Sequence, residues 1–140
     1  MIAYFDTSAL IPLVVEEPTS SGAARLWDSA TRVVSVRLVY PEGRAALAQA
    51  LRTGRLSSRQ LRSAVVELES LDRQLDHVEV TAPLAVRAGQ LAEDHALRGY
   101  DAVHLAAAEL LADGDLVVVA RDQDLRSAAH DLGLATANLD

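Results

Sequence analysis

Cysteine and lysine are both absent from this 140-residue sequence. Without cysteine there is no disulfide and no thiolate metal centre, and a reducing compartment, the cytoplasm, is the expected location. Without lysine there is no Walker A phosphate loop, which needs one to reach the terminal phosphates. Aromatic residues are scarce, with three tyrosines, one tryptophan and one phenylalanine, so sequence reading by stacked aromatic strands is not expected. Long apolar runs are missing too. Met1 to Asp6 has no basic region ahead of an apolar stretch, and Pro12 breaks the run Ala9 to Val15, so neither a signal peptide nor a membrane span is expected. Positive charge is in deficit: 13 basic residues, all arginine, stand against 20 acidic ones, for a net charge of −7. That balance excludes a general polyanion-binding coat, and any nucleic acid has to be met locally, by arginines or by a bound cation.

What is present is an alternation of short apolar strands with helical stretches. Strand patterns run over Ile2 to Phe5, Arg32 to Ser35, His77 to Thr81, Leu116 to Ala120 and Leu134 to Thr136. Between them lie helical patterns. Asp6-Thr7-Ser8 offers N-cap chemistry for a helix through Leu10 to Val14, and Thr19-Ser20-Ser21 for another through Ala24 and Trp27. Val39 to Leu51 repeats apolar residues at helical spacing, with Pro41 either starting or kinking the helix. Ser57 and Gln60 form a capping box ahead of Leu61, Ala64, Leu68, Leu71 and Leu75, which predicts the longest helix. Pro83, Asp101 and Asp122 each stand where a further helix would begin. The leucine stripe of the longest helix reads first as core and second as the wall of a groove for a partner helix.

This order predicts one domain over residues 1–140, of the α/β class: a three-layer sandwich whose mostly parallel sheet of about five strands carries helices on both faces. The unbroken apolar run Leu116 to Ala120 is the expected central strand. Ligands of such sheets bind beyond the carboxyl ends of the strands. Acids fall there: Asp6 directly follows the first strand, Glu42 comes soon after the second, Asp101 heads the helix before the apolar strand, and Asp122 follows that strand. Each alone is explained by helix capping. Together they repel one another and raise each other's pKa, a cost that a bound cation would offset. Oxygen ligands without histidine or cysteine partners suit Mg²⁺ or Mn²⁺, and such ions activate water for phosphodiester hydrolysis.

Four segments carry a resemblance: Tyr4-Phe5-Asp6-Thr7-Ser8-Ala9-Leu10, Tyr40-Pro41-Glu42 with Arg44-Ala45-Ala46-Leu47, Tyr100-Asp101-Ala102-Val103-His104-Leu105-Ala106, and Val118-Val119-Ala120-Arg121-Asp122-Gln123-Asp124-Leu125. In order and spacing they resemble the PIN-domain family and, within it, the VapC toxins of toxin–antitoxin pairs. The resemblance implies a PIN-like sandwich and a Mg²⁺-dependent endoribonuclease that hydrolyses RNA with a metal-activated water. It also implies a VapB-like antitoxin partner and a homodimer. It places Asp6, Glu42, Asp101 and Asp122 in catalysis, with Asp6, Asp101 and Asp122 as metal ligands, and gives Ser8 the role of supporting Asp6. Asp124 is an additional acid, and which of Asp122 and Asp124 faces the metal stays open. Ala120 stands where the family more often has a threonine.

His104, one turn beyond Asp101, shares its helix face and is a supporting candidate as well as a structural one. Arg44, near Glu42, is the phosphate-binding candidate, while Arg52, Arg55, Arg59 and Arg62 read equally as an RNA track or as a solvated helix end. The competing function is a catalytically silent PIN-like domain that only binds RNA or protein. Against it stand the four retained acids. Phosphatases and phosphoacceptor domains with an aspartate after the first strand use a lysine on the phosphoryl group, and this sequence has none.

Overall fold

A computed structural model describes all 140 residues. Five parallel strands, β1 (Ile2–Phe5), β2 (Arg32–Val36), β3 (Asp76–Val78), β4 (Leu116–Val119) and β5 (Ala135–Ala137), form one sheet in the order β3-β2-β1-β4-β5. The α/β class and the five-stranded parallel sheet are as expected. The central strand is β1, with β4 interior beside it, because β1 pairs with both β2 and β4. The third strand is shorter than its alternating pattern predicts. Its only neighbour, β2, ends at Val36 opposite Val78, so Glu79 to Thr81 have no ladder partner, and Val80 is left exposed.

Seven helices connect the strands: α1 (Thr7–Leu10), α2 (Ser20–Ser29), α3 (Val39–Arg52), α4 (Ser58–Gln74), α5 (Ala82–His95), α6 (Gly99–Leu110) and α7 (Gln123–Asp131). The predicted first helix is split. Pro12 ends α1 and sits at the start of a 3₁₀ turn over Ile11–Leu13, since proline cannot donate the bond that an α-helix would need there. Pro41 is the third residue of α3, where an N–H has no partner within the helix, and it costs little. The Ser57–Gln60 capping box forms as read, and α4 is the longest helix at 17 residues.

Strand alternation sorts the core. Tyr4, Val34, Val36 and Val118 face α5, α6 and α7, packing on Leu84, Leu91, Leu105 and Leu125. Ala3, Phe5 and Val119 face the other way, toward Ala23 of α2 and Leu139, with the Trp27 ring edge-on to Phe5 at 5.2 Å. Gly22 is required in that layer, because a Cβ there would lie 2.2 Å from the Leu139 carbonyl oxygen. The hairpin of α3 and α4 packs Val39, Leu47, Ala64 and Leu68 on Leu10, so the leucine stripe is core. No helix is long and apolar enough to cross a membrane.

Candidate active site

Period-two alternation along β1 sends Tyr4 and the following Asp6 to the face covered by α6. There His104 stands one turn beyond Asp101 on α6. Parallel strands put the ends of β1, β2 and β4 on one edge, so Asp6, the start of α3 with Glu42, the start of α6 with Asp101, and Asp122 all collect there.

His104 is the hub. Its side chain is 1% exposed, and Nε2 donates to Glu42 Oε1 at 2.7 Å and lies 3.4 Å from Asp6 Oδ1. Thr7 Oγ1 donates to the same Glu42 oxygen at 3.0 Å. The Tyr4 hydroxyl lies 2.9 Å from Nδ1. Burial first, then the neighbouring Asp6 charge, hold the Tyr4 pKa well above 10.0, so the phenol keeps its proton. Neutral His104 therefore accepts from Tyr4 on Nδ1 and keeps its proton on Nε2, toward the carboxylates. Burial pushes the His104 pKa down, but Asp6, the Glu42 hydrogen bond and the Glu42 and Asp101 charges outweigh it, leaving it above 6.5. A raised folded-state value adds stability that is complete below pH 6.5 and lost as pH rises through that value. In chelator, melting temperature should therefore fall as pH rises above 6.5, and His104→Gln should flatten the fall. A wild-type melt that climbs there would contradict the charge assignment.

The other carboxylates are held by short local contacts. Asp6 caps α1, its Oδ2 accepting from Ser8 N at 3.2 Å and Ser8 Oγ at 2.6 Å. Asp122 caps α7 through Oδ1, which accepts from Asp124 N and Leu125 N at 2.8 and 3.1 Å. Asp101 is the third residue of α6, whose cap is Arg98. The Arg98 guanidinium donates to Asp101 Oδ2 from Nε at 2.9 Å and approaches Asp122 Oδ2 at 3.6 Å. The Asp101 hydrogen bond and charge raise its pKa, with the Asp122 and Asp6 charges adding to them.

Some candidates lie elsewhere. Asp124 turns away, into a cavity with Asp94, His95 and Asp131, leaving Asp122 as the acid of that motif nearest Asp101. Arg44 points to the Tyr40 hydroxyl, 2.8 Å away, and to Glu69, rather than to Glu42. Ala120 is fully buried and contributes only its carbonyl, which accepts from Arg126 at 2.8 Å. Sequence reading passed over Tyr4, Thr7 and Arg98. Strand alternation signals the first of these and nothing local signals the others.

Comparison with known proteins identifies the family. The family model described as the PIN domain matches residues 3–131. The chain is 45% identical to ribonuclease VapC45 of Mycobacterium tuberculosis (strain CDC 1551 / Oshkosh), over 99% of this chain and 98% of that protein. Among solved structures, FitAcB from Neisseria gonorrhoeae superposes with a TM-score of 0.73 at 21% identity, over 99% of this chain and 98% of the other. A toxin–antitoxin complex from Klebsiella pneumoniae gives 0.61 at 20% identity, over 87% and 88%.

Proposed function

The chain belongs to the PIN-domain family and, within it, to the VapC ribonucleases, and on that premise we propose that it is a metal-dependent endoribonuclease, the toxin of a VapBC-like pair. The observation that carries the reading is Arg98. Asp101 of α6 and Asp122 at the cap of α7 both pair with its single positive charge at the carboxyl edge of the sheet, where Asp6 also stands. No three acidic or histidine side chains close to ligand distances around one point here. The donor set is nonetheless all oxygen, its charge calls for a cation, and Arg98 is 81% exposed, so the guanidinium gives way at little cost. These residues fit Mg²⁺ or Mn²⁺.

Asp6, Asp101 and Asp122 would hold the ion. When bound, it lowers the pKa of a water and neutralises charge growing on the phosphorane and leaving oxygen. The chain's own side chains do the rest. Ser8 fixes the Asp6 rotamer. His104 and Thr7 both bond Glu42 Oε1, which leaves Oε2 to orient the attacking water. In-line attack expels the ribose 3′-oxygen and leaves a 5′-phosphate.

Silencing calls for a partner. A groove of about 410 Å³ between the 3₁₀ turn and α3, lined by Ile11, Val15, Ala46, Leu47 and Ala50 and by the polar Gln49, Thr53 and Arg55, suits an amphipathic antitoxin helix. From there the antitoxin would present an arginine to the carboxylates. Exposed Val86 on α5 and Tyr100 on α6 support pairing of two copies, in the cytoplasm that a cysteine-free toxin suits.

RNA incubated with the protein should be cut in Mg²⁺ or Mn²⁺ and left intact in EDTA, with 5′-phosphate and 3′-hydroxyl ends. Calorimetry of Asp6→Asn should show metal affinity at least about tenfold weaker, some 1.4 kcal/mol. Cyclic phosphate ends or full activity in EDTA would refute the mechanism.

A further inference from the structure

A second charged cluster is joined to the carboxylate site by hydrogen bonds. Glu17 follows the 3₁₀ turn, and its side chain is only 10% exposed. Its Oε1 accepts from Arg55 at 3.1 Å and its Oε2 from Arg121 at 2.7 Å. Arg55 comes from the turn between α3 and α4, and Arg121 from the loop between β4 and α7. The Arg121 backbone N–H donates to Ser8 Oγ at 3.0 Å, and that hydroxyl donates to Asp6 Oδ2 at 2.6 Å. Arg126 fastens the same loop, donating to the carbonyls of Ala120 and Arg121 at 2.8 and 2.7 Å.

One arginine would neutralise Glu17, yet two guanidiniums pair with this single carboxylate. Two cations on one anion stand out in a lysine-free protein of net charge −7. Each guanidinium has five N–H donors, and Glu17 occupies one nitrogen of Arg55 and one of Arg121. Their side chains remain 59% and 45% exposed. Paired guanidiniums with spare donors match the oxygens of a phosphodiester, and an exposed surplus charge has no packing purpose.

We propose that Arg55 and Arg121, aligned by Glu17, are the docking point for RNA phosphates flanking the scissile bond. This rests on the reading of Asp6, Asp101 and Asp122 as the hydrolytic site. Glu17 is a positioning residue, and Arg121 delivers the strand to Asp6, to which its backbone is tied through the Ser8 hydroxyl.

The test compares wild type, Arg55→Ala, Arg121→Ala and Arg121→Lys on a fluorescent RNA, measuring cleavage in Mg²⁺ and binding across a salt series. Each alanine variant should raise KM by roughly tenfold with kcat within about twofold, and should lower the slope of log affinity against log salt by roughly 0.7 to 1. Arg121→Lys should recover the salt slope, because the charge is restored, but only part of the KM, because an ammonium lacks the paired donors of a guanidinium. Wild type that cleaves RNA while both alanine variants keep its KM and salt slope would overturn the docking point and spare the hydrolytic reading. Wild type that binds RNA through these arginines but cleaves none would sink the hydrolytic reading and leave the docking point standing.

Discussion

Asp101→Asn is expected to lower RNA cleavage at least a hundredfold, about 2.7 kcal/mol of transition-state stabilisation. Asn keeps the shape of the side chain and one oxygen but removes the charge that a metal needs. The fold should not suffer. Asp101 is the third residue of α6 rather than its cap, so no capping bond is lost. Its ion pair is with an exposed arginine, and such pairs contribute little. Relief of repulsion from Asp6 and Asp122 works the other way, so in EDTA the variant should melt no lower than wild type. A loss of activity that tracks a loss of stability would mean that Asp101 is structural. Unchanged activity would remove it from the site.

His104→Ala should produce the largest loss of stability, about 3–5 kcal/mol in chelator, as expected when one partner of a buried charged network is removed. Three losses coincide. A cavity opens beneath α6, the Tyr4 hydroxyl is left without its 2.9 Å partner, and Asp6 and Glu42 lose the imidazole between them. Mg²⁺ should restore part of the lost stability, because it re-supplies positive charge to the acids, whereas wild type should gain less from the same addition. A chelator melt within about 1 kcal/mol of wild type would show that His104 does not hold the carboxylates together.

His104 also marks the boundary of what could be read in advance. Its position one turn from Asp101 was visible, and so was its candidacy for a supporting role. Its importance comes from two partners, Tyr4 and Glu42, which lie 100 and 62 residues away in sequence. Asp122 and Asp124 were equivalent on paper, since both lie at the start of one helix. Only the packed direction of α7 separates them: it turns Asp124 toward Asp94 and Asp131 and leaves Asp122 beside Arg98. Arg44 looked well placed by its nearness to Glu42. Two positions apart on a helix point in different directions, and Tyr40, one turn back, takes it instead.

The sequence by itself determined the alternation of strands and helices, the Ser57–Gln60 cap, the sorting of Tyr4 and Phe5 to opposite faces, and the set of acids at the strand ends. These follow from periodicity, capping and turn chemistry, which act over a few residues. Tertiary structure decided that β1 is the central strand, that β3 stops at Val78, that His104 bridges Asp6 and Glu42, and that Glu17 holds both Arg55 and Arg121, the latter 104 residues away. Those facts depend on which strands lie side by side and on where their ends meet. Strand order is set by the packing of helices on both faces of the sheet, a global balance of burial that no short window of residues contains.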